Sequence, residues 1–430
     1  PSFSIFVYCV AVERLKGTAV MEIYERPLYL DRLVKWRDRD MIKVVTGIRR
    51  AGKSTILSIF RNKLATLGVS PDQMVSVNFE DPDVPEFTGW RAAWEYLKPQ
   101  LSTTARTYVF LDEIQRVPAF EKLVDGLHAR KNLDIYMTGS NAYLLSGELA
   151  TYLSGRYVEI GMQPFSFSEY CAALHVTGDF ARHYVAYLRN SSFPYALTLG
   201  GDPLLVGDYL DGIYNTVLVK DVFQRKRLAD TGLVDRIARF LFDNIGNISS
   251  MRSIAGALNG LGIKTNANTV DGYVEALCDA FLFRKARRYD IRGKEILSSG
   301  CKYYAADIGL RTRLCGNRVG DTGRILEIIV YLELLRRHNT VLVGQHDGHE
   351  VDFVVRDGDD IRYYQVSETV RAETTRQREF APLLSINDNY PKTLITLDED
   401  PPLDIRGVRQ VNAYAFLLGQ DAYDGRNLPG

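Results

Sequence analysis

The run Gly47-Ile48-Arg49-Arg50-Ala51-Gly52-Lys53-Ser54-Thr55 carries the clearest chemistry in the chain. It fits G-x-x-x-x-G-K-[ST], a loop whose backbone N–H groups turn inward around phosphate. The spacing assigns Lys53 to the β- and γ-phosphates and Ser54 to Mg²⁺. Such a loop needs a strand before it and a helix after it. Met41 to Thr46 supply a β-branched, apolar run, and Ile56, Leu57, Phe60, Leu64 and Leu67 then recur at helical spacing. The start of that helix would add its partial positive charge to the anion site. The expected cofactors are ATP and Mg²⁺.

A phosphate loop of this kind needs a second strand that delivers carboxylates. Tyr108-Val109-Phe110-Leu111-Asp112-Glu113 is one: four apolar strand residues lead to two acids at the carboxyl end, where α/β sheets place their ligands. Asp112 is expected to hold Mg²⁺ and Glu113 to polarise the water that attacks the γ-phosphate. Two further strands suit the same sheet, Met74 to Phe79, ending in Glu80-Asp81, and Leu133 to Thr138, ending in Gly139-Ser140-Asn141. Arg156, in Leu153-Ser154-Gly155-Arg156, would serve as an arginine finger on a neighbouring copy's nucleotide, which implies a homo-oligomer. The alternative for Arg156 is a surface pair with an acid.

The bulk properties narrow the setting. At 430 residues the length prior gives about three domains. Lys+Arg and Asp+Glu balance at 53 each, so no global basic field argues for nucleic acid. No run approaches the ~18 apolar residues of a membrane span. The five cysteines form no C-x-x-C pair, and a reduced, cytoplasmic setting is expected. Residues 1–20, with an apolar patch from Phe3 to Val12 and no basic stretch before it, read as an extension outside the fold; Met21 reads as the start of the first domain.

Taken in order, Gly-Ile-Arg-Arg-Ala-Gly-Lys-Ser, Val-Asn-Phe-Glu-Asp, Phe-Leu-Asp-Glu-Ile-Gln, Thr-Gly-Ser-Asn, Leu-Ser-Gly-Arg and Pro-Phe-Ser-Phe-Ser-Glu-Tyr resemble the motifs of one family. It is the group of prokaryotic AAA-type P-loop ATPases that carry a C-terminal domain of unknown function. The resemblance covers nearly all of Met21 to Leu418. It implies an α/β fold with an AAA-type parallel sheet over 21–170. It also implies a sensor role for Asn141 or Ser140, a polar side chain that contacts the γ-phosphate or the attacking water. A helix N-cap is the alternative for these two residues.

Downstream, 171–232 read as a helical linker or lid, with Tyr209, Ile213, Val217 and Val222 at helical spacing and a basic run Arg225-Lys226-Arg227. Residues 233–315 read as a winged helix. Three helices are expected around Ile237 to Ile245, Ser250 to Leu258 and Asn268 to Cys278, then a hairpin turning at Asp290 to Lys294. Arg284, Lys285, Arg287, Arg288, Arg292 and Lys294 would make a basic wing for DNA phosphates. The third helix carries Asp271, Glu275 and Asp279, which repel them.

Residues 316–420 resemble a restriction-endonuclease-like core: a helix with Glu327, then strands with Asp352 and with Gln365 and Ser367. In such cores an Asp and a downstream E-x-K bind Mg²⁺. Here Gln365 and Ser367 stand where Glu and Lys would be, so the nuclease chemistry is expected to be lost while the fold persists. His346-Asp347-Gly348-His349 reads as a polar hairpin turn rather than a metal pair. Residues 421–430 form a tail. The expected protein is a Mg²⁺-dependent AAA-type ATPase whose nucleotide state gates the C-terminal half, on DNA. Two rivals stand beside it: an ATP-dependent nuclease acting through Glu327 and Asp352, and a nucleotide-gated protein-interaction switch with no nucleic acid.

Overall fold

The computed structural model describes residues 12–15, 18–21, 24–142, 155–223, 230–316 and 320–421. The basic run at 225–227 and all but the first residue of the 421–430 tail lie outside them. Within the N-terminal stretch, β1 (Val12–Leu15) and β2 (Thr18–Met21) pair only with each other, as an antiparallel hairpin. The chain forms two compact units, the first including this hairpin, running to Pro164 and also holding Phe193–Thr198 and Asp279–Phe281.

The first unit is built on five parallel strands: β3 (Ile42–Thr46), β4 (Met74–Asn78), β5 (Thr107–Asp112), β6 (Leu133–Gly139) and β7 (Tyr157–Gly161). Their order across the sheet is β4-β5-β6-β3-β7. β3 and β6 are buried along their whole length, as strands in a sheet covered on both faces should be, and the one charge in each, Lys43 and Asp134, pairs with the other. Successive residues point to opposite faces, so Val44 joins one core and Val45 the other. Val45 packs with Tyr29 and Leu33 of α1 (Pro27–Trp36) and with Ile56, Phe60 and Leu64 of α2 (Lys53–Thr66). Val44 packs with Ala93 and Leu97 of α3 (Trp90–Leu97) and with Leu123 and Leu127 of α4 (Phe120–His128). Each such aliphatic side chain contributes about 1.5–3 kcal/mol on burial. Because all five strands run the same way, the carboxyl ends of β3, β5 and β6 share one edge. That edge gathers the phosphate loop, Asp112-Glu113 and Ser140-Asn141.

The second unit begins with helices α5 (Phe167–Ala173), α6 (Phe180–Asn190) and α7 (Pro203–Thr216). Then come α8 (Thr231–Asp243), α9 (Met251–Gly260) and α10 (Ala267–Asp279), followed by the hairpin β8 (Phe283–Asp290) and β9 (Glu295–Ala305). Three helices and a hairpin stand where the sequence placed them, but the hairpin is not a free wing. β8 pairs in parallel with β10 (Val341–His346), so both strands belong to an eight-stranded mixed sheet.

After α11 (Ile308–Cys315), this sheet continues through a helix, three antiparallel strands, a helix and a parallel strand: α12 (Thr322–Arg337), β10, β11 (His349–Asp357), β12 (Asp360–Ser367), α13 (Glu373–Ser385) and β13 (Lys392–Thr396). Val351, Val354, Tyr363 and Leu394 pack with Phe380 and Leu383 of α13 in one core. Tyr331 of α12 stacks on Tyr304 with ring centroids 4.1 Å apart. β14 (Leu403–Ile405), β15 (Val408–Asn412) and α14 (Ala413–Leu417) complete the unit.

Candidate nucleotide site

The phosphate loop forms where β3 leaves the sheet. Gly47 has φ 143°, and a Cβ there would lie 2.0 Å from the Met162 carbonyl oxygen, so only glycine fits. Gly52 caps α2 in the left-handed region and, as a glycine, offers no side chain to the first N–H groups of that helix. Those donors are the ones an anion would take. Lys53 is buried, and its ammonium donates to Gly47 O at 2.9 Å and Ile48 O at 3.2 Å. The lysine thus lies inside the loop it would use to hold phosphate.

Asp112 meets this loop from β5. The Thr138 hydroxyl donates to its Oδ1, and Ser54 also hydrogen-bonds its carboxylate. Burial raises the Asp112 pKa above the usual carboxylate range, against the two hydroxyls; nearby Glu113 raises it further and Lys53 opposes. A divalent cation between Ser54 and Asp112 would relieve that cost, so the donor set suits Mg²⁺.

Glu113 is buried at φ 54°, a left-handed conformation that a glutamate adopts only when its surroundings hold it there. Its N–H donates to Thr138 Oγ1 at 3.0 Å. Its carboxylate accepts from Gln115 Nε2 and, at 3.4 Å, from Ser140 Oγ. Both sensor candidates, Ser140 and Asn141, are buried at this edge, and the Ser140 hydroxyl reaches the acid.

Two residues were not foreseen. Thr138 ties Asp112 and Glu113 together, yet in sequence it is one β-branched residue of an apolar strand. Arg26, buried at φ 52°, donates from Nη1 to Ala51 O at 2.9 Å and from Nη2 to Gln163 O at 2.9 Å. It therefore pins the loop backbone to the segment that leaves β7. Its sequence signal is only the Arg-Pro step before α1. Pro194, from Phe193–Thr198, also approaches Gly52. At the mouth of the loop Glu80 pairs with Arg49 at 3.5 Å and with Arg116 at 3.2 Å.

Arg156 is elsewhere. Its carbonyl accepts from the N–H of Ile42, at the opposite end of β3 from the loop. Its guanidinium is part-exposed and pairs with Asp125 at 3.0 Å. It does not join the phosphate site of its own chain.

In the second unit, Asp352 and Gln365 face each other across β11 and β12. Gln365 Oε1 accepts from the Asp352 N–H at 3.3 Å and its amide donates to Glu379 at 3.1 Å. The Ser367 hydroxyl donates to Thr369 O at 3.1 Å. Glu327 lies on α12 and accepts from Lys302 and Tyr304. Of the basic hairpin residues, Arg288 hydrogen-bonds Gln345 and Arg292 pairs with Asp347 at 3.2 Å; Arg284 is half-buried, and Lys285, Arg287 and Lys294 are exposed.

Residues 39–171 match an AAA domain, and residues 181–320 match a domain of unknown function (DUF8612). An uncharacterized protein of Haemophilus influenzae is 36% identical over 397 residues, 91% of this chain and 98% of its own. The chain belongs to the same family. In it an AAA-type P-loop domain is joined to a domain of unknown function. The uncharacterized protein MJ1544 of Methanocaldococcus jannaschii is 27% identical over 355 residues, 79% of this chain and 77% of its own. The solved structure of the Walker-type ATPase PABY2304 of Pyrococcus abyssi aligns with 68% of this chain and 96% of its own, at 15% identity and a TM-score of 0.42. Among the described residues no helix is long and apolar enough to cross a membrane.

Proposed function

We propose that the AAA domain binds ATP with Mg²⁺ and hydrolyses it. The observation that carries this is the meeting of Lys53, Ser54, Asp112 and Glu113 at one sheet edge. Lys53 would give up its bonds to the loop carbonyls for phosphate oxygens, where its charge does more. Ser54 and Asp112 would hold Mg²⁺. Glu113, kept in place through Thr138, Gln115 and Ser140, would orient water in line with the γ-phosphate. Asn141 would complete the sensing edge. For Arg156 the pair with Asp125 supports the surface ion-pair reading, and the rival is a trans role on a neighbouring copy's nucleotide; a strictly monomeric protein with normal turnover excludes the rival.

Nucleotide state then gates the second unit. Ser192 donates to Asp307 through its N–H at 2.7 Å and its hydroxyl at 2.6 Å. The next residues, Phe193–Thr198, belong to the nucleotide-binding unit and include Pro194 near Gly52. A shift of the loop on binding phosphate would pull on this segment. The helix–three strands–helix–strand succession of α12 to β13 favours the nuclease-like reading of the C-terminal region. The internal bonds of Gln365 and Ser367 favour its inactivity.

A DNA partner is favoured by exposed Lys285, Arg287 and Lys294 and opposed by Asp271, Glu275 and Asp279 on α10. ATP turnover measured with and without double-stranded DNA, single-stranded DNA and RNA tests this. Stimulation that falls steeply with salt, and is lost in Lys285→Glu/Arg287→Glu, is expected. Turnover indifferent to all three polymers would leave the protein-interaction switch as the better reading.

A further inference from the structure

Lys302 is a lysine outside the E-x-K position, on a strand of the same sheet. It lies on β9, two residues from Tyr304, so both side chains leave the same face. Its side chain is 3% exposed, with Nζ 2.8 Å from Glu327 Oε1 and 2.6 Å from Glu350 Oε1. The Tyr304 hydroxyl donates to the same Glu327 oxygen at 2.6 Å. Asp352, two residues beyond Glu350 on β11, is buried, and its Oδ2 accepts from the Val366 N–H at 2.8 Å. Burial alone would push the Lys302 pKa down, but the Glu327, Asp352 and Glu350 carboxylates hold it well above the usual lysine range. Burial raises the Asp352 pKa and Glu327 adds to this, while Lys302 opposes it.

This is the place where a nuclease-like core would bind a divalent cation. We infer that the Lys302 ammonium stands in that cation's position, so the cluster carries its counter-charge in a side chain of its own and takes no metal. The argument is one of space and charge. Mg²⁺ binds oxygens at ~2.0–2.1 Å and needs about six of them. An ammonium already within hydrogen-bond distance of two carboxylates fills that volume, and repulsion between it and a dication in a low-dielectric site is severe. Gln365 Oε1 already accepts from the Asp352 N–H, so the amide that stands in the acidic position adds no charge to draw a metal. The lysine absent from the E-x-K position has therefore not been restored as a partner to a metal; Lys302 replaces the metal.

The inference rests on the nuclease-like reading of this region only for what the position would otherwise hold. Its test is Mn²⁺ titration of the full chain without nucleotide, followed by the electron paramagnetic resonance signal of free Mn²⁺. Wild type and Asp352→Asn should give the same curve. Lys302→Gln should gain about one bound equivalent, absent from Lys302→Gln/Asp352→Asn, with a melting temperature about 3–6 °C higher in saturating Mn²⁺. Lys302→Arg, which keeps the charge, should gain none. A Mn²⁺ equivalent on the wild type, lost in Asp352→Asn, would overturn the inference while keeping the nuclease-like reading. That comparison needs no Lys302 variant to fold. A folded Lys302→Gln that gains no site would overturn the inference and remove the region's likeness to a metal-dependent core.

Discussion

Asp112 sits in the first unit at odds with its own surroundings. It is partly buried beside Glu113, and its folded pKa is raised above the unfolded value. A carboxyl shifted that way contributes stability below its unfolded pKa and loses it as pH rises through the folded pKa. Above the folded pKa the ionised group therefore costs the nucleotide-free protein stability, a cost that Mg²⁺ would remove. Asp112→Asn should raise the melting temperature at pH 7 by about 1–3 °C, and the gain should shrink as pH is lowered toward the range where wild-type Asp112 is protonated. The same variant should lose about 100-fold or more in ATP turnover. Calorimetric melts at several pH values check the first part. A variant less stable than wild type at pH 7 would show that the Ser54 and Thr138 bonds outweigh the burial.

Among the elements, the strand–loop–helix unit from β3 to α2 depends most on a single glycine. At Gly47 a methyl group would have to occupy the position of the Met162 carbonyl, at a φ that favours glycine. Gly47→Ala should bend the loop away from β7, weakening ATP binding by about tenfold or more even if the sheet survives. Fluorescent-nucleotide titration reads this, and unchanged affinity would contradict it.

This unit was also the most legible in the sequence, because its periodicities are long and its loop demands a strand and a helix. β5 and β6 were equally plain as apolar runs ending in polar residues. What sequence could not show is that β6 lies between β5 and β3, and hence that Thr138 bridges Asp112 and Glu113. Arg26 and Lys302 were hidden for the same reason. Arg26 meets Ala51 across 25 residues and Gln163 across 137, and Lys302 meets Glu327 across 25. No local pattern encodes such pairings. The hairpin β8–β9 was visible through its turn, but its parallel pairing with β10, more than fifty residues on, was not.

For the whole molecule, a relative matched over 91% of the chain makes the joining of an AAA domain to the second region a family property, not an accident of this sequence. The central claim about such a molecule is that one edge of one sheet divides the work of binding and hydrolysis among different side chains. On the proposed function Lys53 would neutralise phosphate, whereas Glu113 would act on water alone. The most direct measurement is ATP binding and ATP turnover taken separately on wild type, Lys53→Ala and Glu113→Gln. Lys53→Ala should lose binding and turnover together. Glu113→Gln should keep ATP affinity within about threefold and lose about 100-fold or more in turnover, trapping the nucleotide. Wild-type turnover in Glu113→Gln, or full ATP affinity and turnover in Lys53→Ala, would contradict the assignment of this site.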